Sequence, residues 1–481
     1  MDSKPKNFYI TSTLPYVNND PHIGFAMEII RADIIARWKK QSGFDVFFNT
    51  GTDEHGQKLW NDARLAGKDT KEYVDFYAEK FKGLKELLLL SPDLKFVRTT
   101  DPHHEAAAIE FWKRCDKNGY IYKKIYSIKY CVGCELEKTE SELVDNRCPL
   151  HPNKELELIE EENYFFKFSA FQEKLLKLYK ENPKLVIPDF RFNEIKAFVE
   201  RGLEDFSISR LKEKMPWGVQ VPGDELHVMY VWFDALVSYI STIGWPEEEA
   251  QFTKYWVEGN PVQYCGKDNL RQQSAMWQAM LMAADLSPTH HIVIDGFITS
   301  GGQKMSKSLG NVINPYDVVS EYGAEALRYF VARELSTFED SDFTMERFKE
   351  AYNANLANGV GNLTSRIMKM AESHLTSPVE GYVFHRPGEY EDYLENFEIQ
   401  KAANYIWSKI VELDGYIQET QPFKLVKIDK EKAIEIIKKL VTDLRFIADL
   451  LSPILPETSD KIISLINKNK SPEAPLFARV D

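Results

Sequence analysis

Long apolar runs are missing from this chain. No stretch reaches the ~18 apolar residues that a membrane helix needs, so no membrane-spanning helix is expected. The opening Met1–Lys6 has no apolar core, so no secretory leader is expected and the cytoplasm is the expected compartment. Cysteine is scarce, five in 481 residues with three in one cluster, which excludes a secreted disulfide framework. Positive charge is in deficit: 60 Lys and Arg against 74 Asp and Glu leave a net charge of -14. That balance argues against sequence-independent nucleic-acid binding over the whole surface, although a local basic groove stays open. Internal repeats and low-complexity tracts are absent, which excludes a repeat array. What is present is ordinary globular material, 43% hydrophobic and 28% charged, enough for two or three domains with their own cores.

The hydrophobic pattern divides the chain. Phe8-Tyr9-Ile10-Thr11 reads as a strand and Pro15 to Pro21 as a loop. From Gly24 to Lys40, Met27, Ile30, Ile34, Ile35 and Trp38 recur at helical spacing, with Gly43 as C-cap and Val46-Phe47-Phe48 as the next strand. This is a βαβ unit, so a parallel sheet with its ligand at the strand ends is expected. A second α/β portion runs from near Val228 to Phe330, with strands at Val262-Gln263-Tyr264 and His291-Ile292-Val293-Ile294 and a helix between them. The stretch from Tyr120 to Asp224, richer in lysine and glutamate, reads as an insertion between the two α/β portions. Beyond Arg333 the pattern is helical, near Arg347–Ser373, Leu394–Thr420, Lys430–Leu451 and Glu457–Ile466, with a linker from Thr376 to Glu391. The expected domains are residues 1–119 and 225–346 for the split α/β portion, 120–224 for the insertion and 347–481 for the helices.

Four constellations carry chemistry. Lys304-Met305-Ser306-Lys307-Ser308, flanked by Gly301, Gly302 and Gly310, is a two-lysine loop able to close on a pyrophosphate and stabilise charge as it leaves. Such a loop alone is usually a solvated turn. It is answered upstream by His22 and Gly24 at a helix start, where backbone amides and the macrodipole favour phosphate, and the pairing points to a nucleoside triphosphate. The cluster Cys131-x2-Cys134-x13-Cys148-x2-His151 offers three thiolates and one imidazole to a tetrahedral cation, leaves no open position, and so reads as a structural Zn²⁺ site. Cys115 and Cys265 lack such partners and read as packing residues. Asp53, in the polar loop Gly51-Thr52-Asp53-Glu54-His55-Gly56, suits a substrate ammonium and equally suits the N-cap of a helix after Gly56. The aromatic segment Tyr230-Val231-Trp232-Phe233-Asp234-Ala235 with Tyr239 is either core or a wall of an apolar pocket opposite Leu14 and Tyr16. In Gly266-Lys267-Asp268, after a strand, glycine permits close ligand approach and the aspartate can accept from ribose hydroxyls.

Taken in order along nearly the whole chain, these motifs resemble the class I aminoacyl-tRNA synthetases, and within them the methionyl branch. The lysine pentapeptide is shared by many class I enzymes; the acidic loop, the zinc spacing and the short insertion sharpen the assignment. The resemblance implies a Rossmann-type parallel-sheet catalytic domain split by a zinc-knuckle insertion, then an all-α anticodon-binding helix bundle. It implies activation of L-methionine by ATP to methionyl-adenylate, then transfer to the terminal adenosine of tRNA(Met). By the same carry-over Leu14, Tyr16, Asp53, Trp232, Ala235 and Tyr239 line the methionine site, with Asn269 and Gln273 at positions that also face it. His22, Gly24, Gly266, Asp268, Lys304 and Lys307 handle ATP, His22 and the two lysines as catalytic groups, with Mg²⁺ accompanying the triphosphate. Asn362 and Arg366, one helical turn apart, and Phe423 after Gln421-Pro422 match the anticodon-reading positions, where an aromatic face stacks a base and an amide reads its edge.

The sequence departs from the family's pattern at named places. Phe25 stands where the second histidine of the signature is usual, and loss of one transition-state donor typically costs ~10²–10³ in rate. Asn269, Gln272 and Gln273 replace a hydrophobic residue, a phenylalanine and a histidine, Leu236 replaces a proline, and Asp295 replaces a histidine before Gly296. The insertion of about a hundred residues is too short for the hydrolytic editing domain of the larger aliphatic relatives. A catalytically weak tRNA-binding paralogue and a nucleotidylyltransferase are the competing readings. No appended oligonucleotide-binding barrel is legible, and a monomer is expected.

Overall fold

The computed structural model describes residues 6–134, 136–138, 143–305 and 311–480. It forms two compact units, one of Met1–Pro21, Gly43–Gly83 and Pro92–Ile294, the other of His22–Ser42, Leu84–Ser91 and Asp295–Asp481.

The first unit is built on a six-stranded sheet in the order Lys95–Arg98, Asp45–Thr52, Asn7–Thr11, Val262–Gly266, His291–Asp295, Val186–Ile187. Asn7–Thr11 pairs in parallel with Asp45–Thr52 on one side and with Val262–Gly266 on the other, as the βαβ pattern predicts. Chain order reverses between these two central strands, so the crevice beyond their carboxyl ends is where a doubly wound sheet receives its ligand. The residues that leave those ends are Leu14 and Tyr16 after the first strand, and Gly266 and Asp268 at the second. Beneath the sheet Phe111 stacks on Trp277 at 5.6 Å, and Trp112 meets Phe233 edge-on at 5.2 Å, burying large apolar faces that lock the aromatic segment in place. Within 120–224, an antiparallel sheet runs Leu136–Lys138, Ile121–Cys131, Glu157–Phe166, Phe206–Ser207. Val186–Ile187 of the same stretch departs from that sheet and forms the edge strand of the parallel one.

The second unit is mostly helical. The helix Ile23–Gln41 begins one residue before its predicted start, and Gly43 follows its cap Ser42 with φ of 83°. Arg328 is fully buried here, donating to Ile454 O (2.8 Å) and Pro453 O (2.9 Å) and pairing with Asp33 at 2.8 Å, so one cation satisfies carbonyls of the turn between the helices Lys430–Leu451 and Pro456–Lys468. Glu325 accepts from Thr458 N and Oγ1, closing the first turn of the helix Pro456–Lys468. Three helical readings need correction. The predicted helix Arg347–Ser373 is broken into Met345–Ala351, wider turns over Tyr352–Gly361, and Asn362–His374, because Gly359 takes a non-helical ψ of -110°. Leu394–Thr420 is two helices, Gly388–Glu395 and Ile399–Thr420, separated where Phe397 turns left-handed. The linker therefore ends before Gly388 rather than at Glu391, since Pro387 sits at the N-cap and releases the chain into a helix.

Candidate functional site

In the first unit the adjacent strands Asn7–Thr11 and Asp45–Thr52 place the residues expected at the amino-acid site. Tyr16 and Asp53 bridge in parallel just past the strand ends, with Asp53 N donating to Pro15 O at 2.9 Å and Val17 N to Asp53 O at 3.3 Å. Leu14 is buried, whereas Tyr16 and Asp53 are half-buried. The helix after the acidic loop, Gln57–Leu65, takes Gly56 as its N-cap with no side-chain bond, so Asp53 does not serve as a cap. The aromatic segment forms the short helix Val231–Ala235, in which Phe233 and Asp234 are buried while Trp232 and Ala235, three residues apart, are half-buried on one face. Tyr239 is 3% exposed, its backbone carbonyl accepting from Tyr9 Oη at 2.8 Å and its hydroxyl accepting from Gln273 Nε2 at 2.5 Å.

Sequence reading named the motifs but missed what fastens them together. Asp234 is completely buried and is shared by two histidines: Oδ2 lies 2.8 Å from His55 Nδ1, and Oδ1 lies 3.1 Å from His104 Nε2. His104 Nδ1 in turn meets Ser241 Oγ at 2.9 Å. Burial works against charge on both His55 and Asp234, yet their mutual attraction and hydrogen bond outweigh it. His55 is held above the ordinary imidazole value and Asp234 below the ordinary carboxylate value. Glu54 is fixed on the other side of the loop by Arg98 at 2.6 and 2.8 Å, by Thr52 Oγ1 at 2.6 Å and by Thr100 Oγ1 at 2.5 Å. Tyr16 Oη donates to His55 O at 2.7 Å and Trp217 Nε1 to Glu54 O at 2.5 Å. The signal was available: Glu54, His55 and Asp234 are polar letters inside motifs whose neighbours are the expected ligand-facing residues.

At the second strand end Gly266 is half-buried, and a Cβ there would lie 2.7 Å from Asp268 Oδ1, so glycine is what lets that carboxylate fold back over the strand. Asp268 is exposed and Asn269 half-buried on the turn Lys267–Asn269, whereas Gln272 and Gln273 are buried. Leu236, in place of the proline, is also buried.

In the second unit His22 is the N-cap of the helix Ile23–Gln41. Its Nδ1 accepts from Gly24 N at 3.1 Å, which leaves Nε2 as the donor of a neutral ring. A Cβ on Gly24 would sit 3.0 Å from that ring, so Gly24 keeps the cap open. Phe25 is only 7% exposed, a packing residue where the family pattern has a polar one. Lys304 ends the strand Gln303–Lys304, paired antiparallel with Ile298–Ser300 through Gly301 and Gly302 at φ of 62° and 72°. Asp342 Oδ1 accepts from Gly302 N at 2.8 Å, and that bond holds its carboxyl below the usual range. Lys307 lies outside the described residues. Asp295, in place of the histidine, pairs with Arg31 at 3.0 Å, and burial pushes it up to about 6 against the guanidinium's pull.

The cysteine cluster assembles as its spacing predicts. Ligand atoms of Cys131, Cys134, Cys148 and His151 lie within 4.8 Å of one another. Cys134 Sγ is 3.1 Å from His151 Nδ1 and 3.4 Å from Cys148 Sγ, while Cys131 and Cys148 are 3.8 and 4.0 Å from the same nitrogen. A tetrahedral Zn²⁺ with ordinary bond lengths sets its ligand atoms about 3.5–3.8 Å apart, so the donor set fits. A Cβ on Gly133 would lie 2.5 Å from the His151 ring, so the knuckle closes only around glycine. Cys115 and Cys265 are buried away from this cluster.

In the helical region Asn362 is exposed, and Arg366, one turn on, pairs with Asp414. Phe423 is 46% exposed on the short helix Pro422–Leu425, which follows Gln421 in the left-handed conformation. Among the described residues no helix is long and apolar enough to cross a membrane.

Comparison with known proteins follows the same division. The family described as tRNA synthetases class I (M) matches residues 8–155 and 134–368, and that described as the anticodon binding domain of methionyl tRNA ligase matches 370–475. A Thermotoga maritima protein named methionine–tRNA ligase is 39% identical over 97% of this chain and 76% of its own length. A Synechocystis protein of the same name is 38% identical over 96% of this chain and 90% of its own. The Mycobacterium tuberculosis methionyl-tRNA synthetase in complex with methionyl-adenylate superposes with a TM-score of 0.89 at 34% identity, covering 95% of this chain and 93% of that one.

The Asp234–His55 pair gives a pH signature. A raised histidine stabilises fully below its unfolded value and loses that as pH rises through its folded value; a lowered aspartate stabilises above its unfolded value and loses that as pH falls. The stability gap between the wild-type protein and Asp234→Asn is therefore widest between about pH 4 and 6.5, at roughly 3 kcal/mol or more, and narrows above that window. Urea or thermal unfolding across pH 4–9 measures it, and a gap that does not vary with pH contradicts the ionised pair.

Proposed function

We propose that this chain, which belongs to the methionyl-tRNA synthetase family of class I tRNA synthetases, is a methionine–tRNA ligase. It joins L-methionine and ATP into methionyl-adenylate with release of pyrophosphate, then passes the methionyl group to the terminal adenosine of tRNA(Met) with release of AMP. The observation that carries this is the bridge of Tyr16 and Asp53 at the carboxyl ends of the two first strands, which presents a carboxylate beside an aromatic ring.

In this reading Asp53 takes the ammonium group, while Leu14, Tyr16, Trp232, Ala235 and Tyr239 enclose the thioether side chain, with Asn269 and Gln273 nearby. Gly266 and Asp268 serve the ribose. His22, as a ring donating from Nε2 beside the helix N-terminus, serves the phosphates with Gly24, and Lys304 and Lys307 stabilise charge on the leaving pyrophosphate. The substrate's own carboxylate attacks the α-phosphate, so no side-chain nucleophile is needed and positioning supplies most of the rate. Phe25 offers no donor, and His22 carries that end of the signature alone. Mg²⁺ would accompany the triphosphate and neutralise part of its charge. Cys131, Cys134, Cys148 and His151 hold a structural Zn²⁺, whose chemistry is to cross-link the knuckle. Asn362, Arg366 and Phe423 meet the anticodon. The catalytic domain spans 1–119 and 225–346, the connective insertion 120–224 and the anticodon domain 347–481, in a cytoplasmic monomer.

ATP–pyrophosphate exchange with each of the twenty amino acids singly tests the activity. Exchange is expected with methionine alone, and Asp53→Asn lowers its kcat/KM about a hundredfold, the loss of one charge-assisted contact in a dry site. Exchange with another amino acid overturns the substrate, and none at all turns the reading to a tRNA-binding protein without activation. Elemental analysis of the purified protein is expected to give one zinc per chain, with Cys148→Ser losing it and lowering the melting temperature. A metal-free wild-type protein with an unchanged melting curve contradicts the zinc site.

A further inference from the structure

Within the second unit the helix Ile23–Gln41 is fastened to the segment that carries Lys304 at two points. At the helix start Ile23 N donates to Ile313 O at 3.0 Å, on the stretch that follows the lysine loop. Eight residues further on, about 12 Å along the helix axis, Arg31 makes the second attachment. Its side chain is 1% exposed and its guanidinium spreads over three acceptors. Nη1 donates to Asp295 Oδ1 at 3.0 Å and to Thr337 O at 2.9 Å, and Nη2 donates to Ser336 O at 2.6 Å. Those acceptors form the base of the three-stranded sheet that runs Gln303–Lys304, Ile298–Ser300, Ser341–Asp342. Asp295 ends the strand His291–Asp295 and leads through Gly296 into Ile298–Ser300. Ser336 and Thr337 lead into Ser341–Asp342, which pairs in parallel with Ile298 and Thr299. The two sides of this base are fused: a Cβ on Gly296 would lie 2.2 Å from the Glu339 carbonyl carbon. Ser341 N donates to Phe297 O at 2.9 Å, Phe297 N to Asp340 Oδ1 at 2.9 Å, and Ser336 N to Ser341 Oγ at 2.8 Å. From that base the sheet continues to Lys304, which pairs with Thr299.

One attachment is a pivot, whereas two fix an angle. With the Ile23–Ile313 bond alone the sheet could swing about the helix start and carry Lys304 with it. Stability is a poor account of the second attachment. Arg31 Nε and Asp295 Oδ2 are buried and find no hydrogen-bond partner among the described residues. An enclosed ion pair left incomplete in this way is often matched or bettered by packed apolar groups. We infer that Arg31 is a positioning residue for adenylate formation: it holds both sides of the sheet's base to the helix that His22 caps, and so sets the offset of Lys304 from His22. This rests on the reading that His22 and Lys304 handle ATP. The two groups then meet the triphosphate from opposite sides at one fixed spacing. A lysine at position 31 could still pair with Asp295, but its single ammonium lacks the planar fork that serves a carboxylate and two carbonyls together.

The test measures kcat in ATP–pyrophosphate exchange and, separately, the Kd for L-methionine by equilibrium dialysis without ATP. Arg31→Lys is expected to lower kcat about tenfold and Arg31→Met about a hundredfold, the range that misplacements of up to about 1 Å bring, with the methionine Kd within about twofold of wild type. Because Arg31 acts through the placement of Lys304, the two changes are not additive. In a Lys304→Gln background Arg31→Lys is expected to lower kcat by less than about twofold. General loosening of the fold would weaken methionine binding and the rate together, and would persist in the Lys304→Gln background. An Arg31→Lys protein with wild-type kcat overturns the inference, as does a parallel loss of methionine affinity or an undiminished effect beside Lys304→Gln. Should Arg31→Met fail to fold, Arg31→Lys decides. Wild-type protein without methionine-dependent exchange contradicts the ligase reading and the role of Arg31 with it, an outcome distinct from an unchanged kcat in an active variant.

Discussion

The first unit depends on one buried carboxylate. Asp234 lies within a short aromatic helix and reaches His55, on the loop that carries Asp53, and His104, on a separate helix. Removing one partner of such a pair leaves a charge in a site without water, which costs far more than the pair itself gains. The acidic loop and the aromatic helix are therefore held at a fixed offset, and the residues beside Asp234 and His55 inherit that offset. Trp232 and Ala235 are turned to one side because Phe233 and Asp234 occupy the other. Gly56, not Asp53, caps the helix that follows, and Glu54 and His55 anchor the loop on both sides.

The elements proposed to handle phosphate follow a simpler logic. They rely on backbone geometry: a histidine that caps a helix and a glycine hairpin that ends at Lys304. Such features cost little to build and place donors without burying charge. The substitution of Phe25 transfers one site from chemistry to packing, and the buried Arg31–Asp295 pair does the same at another position of the family pattern. Both changes leave the motif recognisable while altering what its side chains do.

The sequence was most readable where a residue's role is local. The zinc spacing and the strand and helix of the βαβ unit each follow from neighbours a few positions apart. Less readable were contacts made across the fold. Glu54, His55 and Asp234 stand in plain view in their motifs, but only tertiary placement brings His104 to the same carboxylate, 130 residues from Asp234. The strand Val186–Ile187 is two residues long, too short for any period to register, and it belongs to the parallel sheet only through its partner His291–Asp295. The helix breaks at Gly359 and Phe397 interrupt patterns whose apolar spacing continues through them, so periodicity alone joined the segments.

The central claim is that the acidic loop and the aromatic helix, joined through Asp234, make one amino-acid site. A crystal structure of the protein grown with L-methionine tests it most directly. The account predicts the ammonium within about 2.7–3.0 Å of the Asp53 carboxylate and the side chain against Leu14, Trp232 and Ala235. Methionine bound without contact to Asp53, or seated away from the aromatic helix, would contradict it.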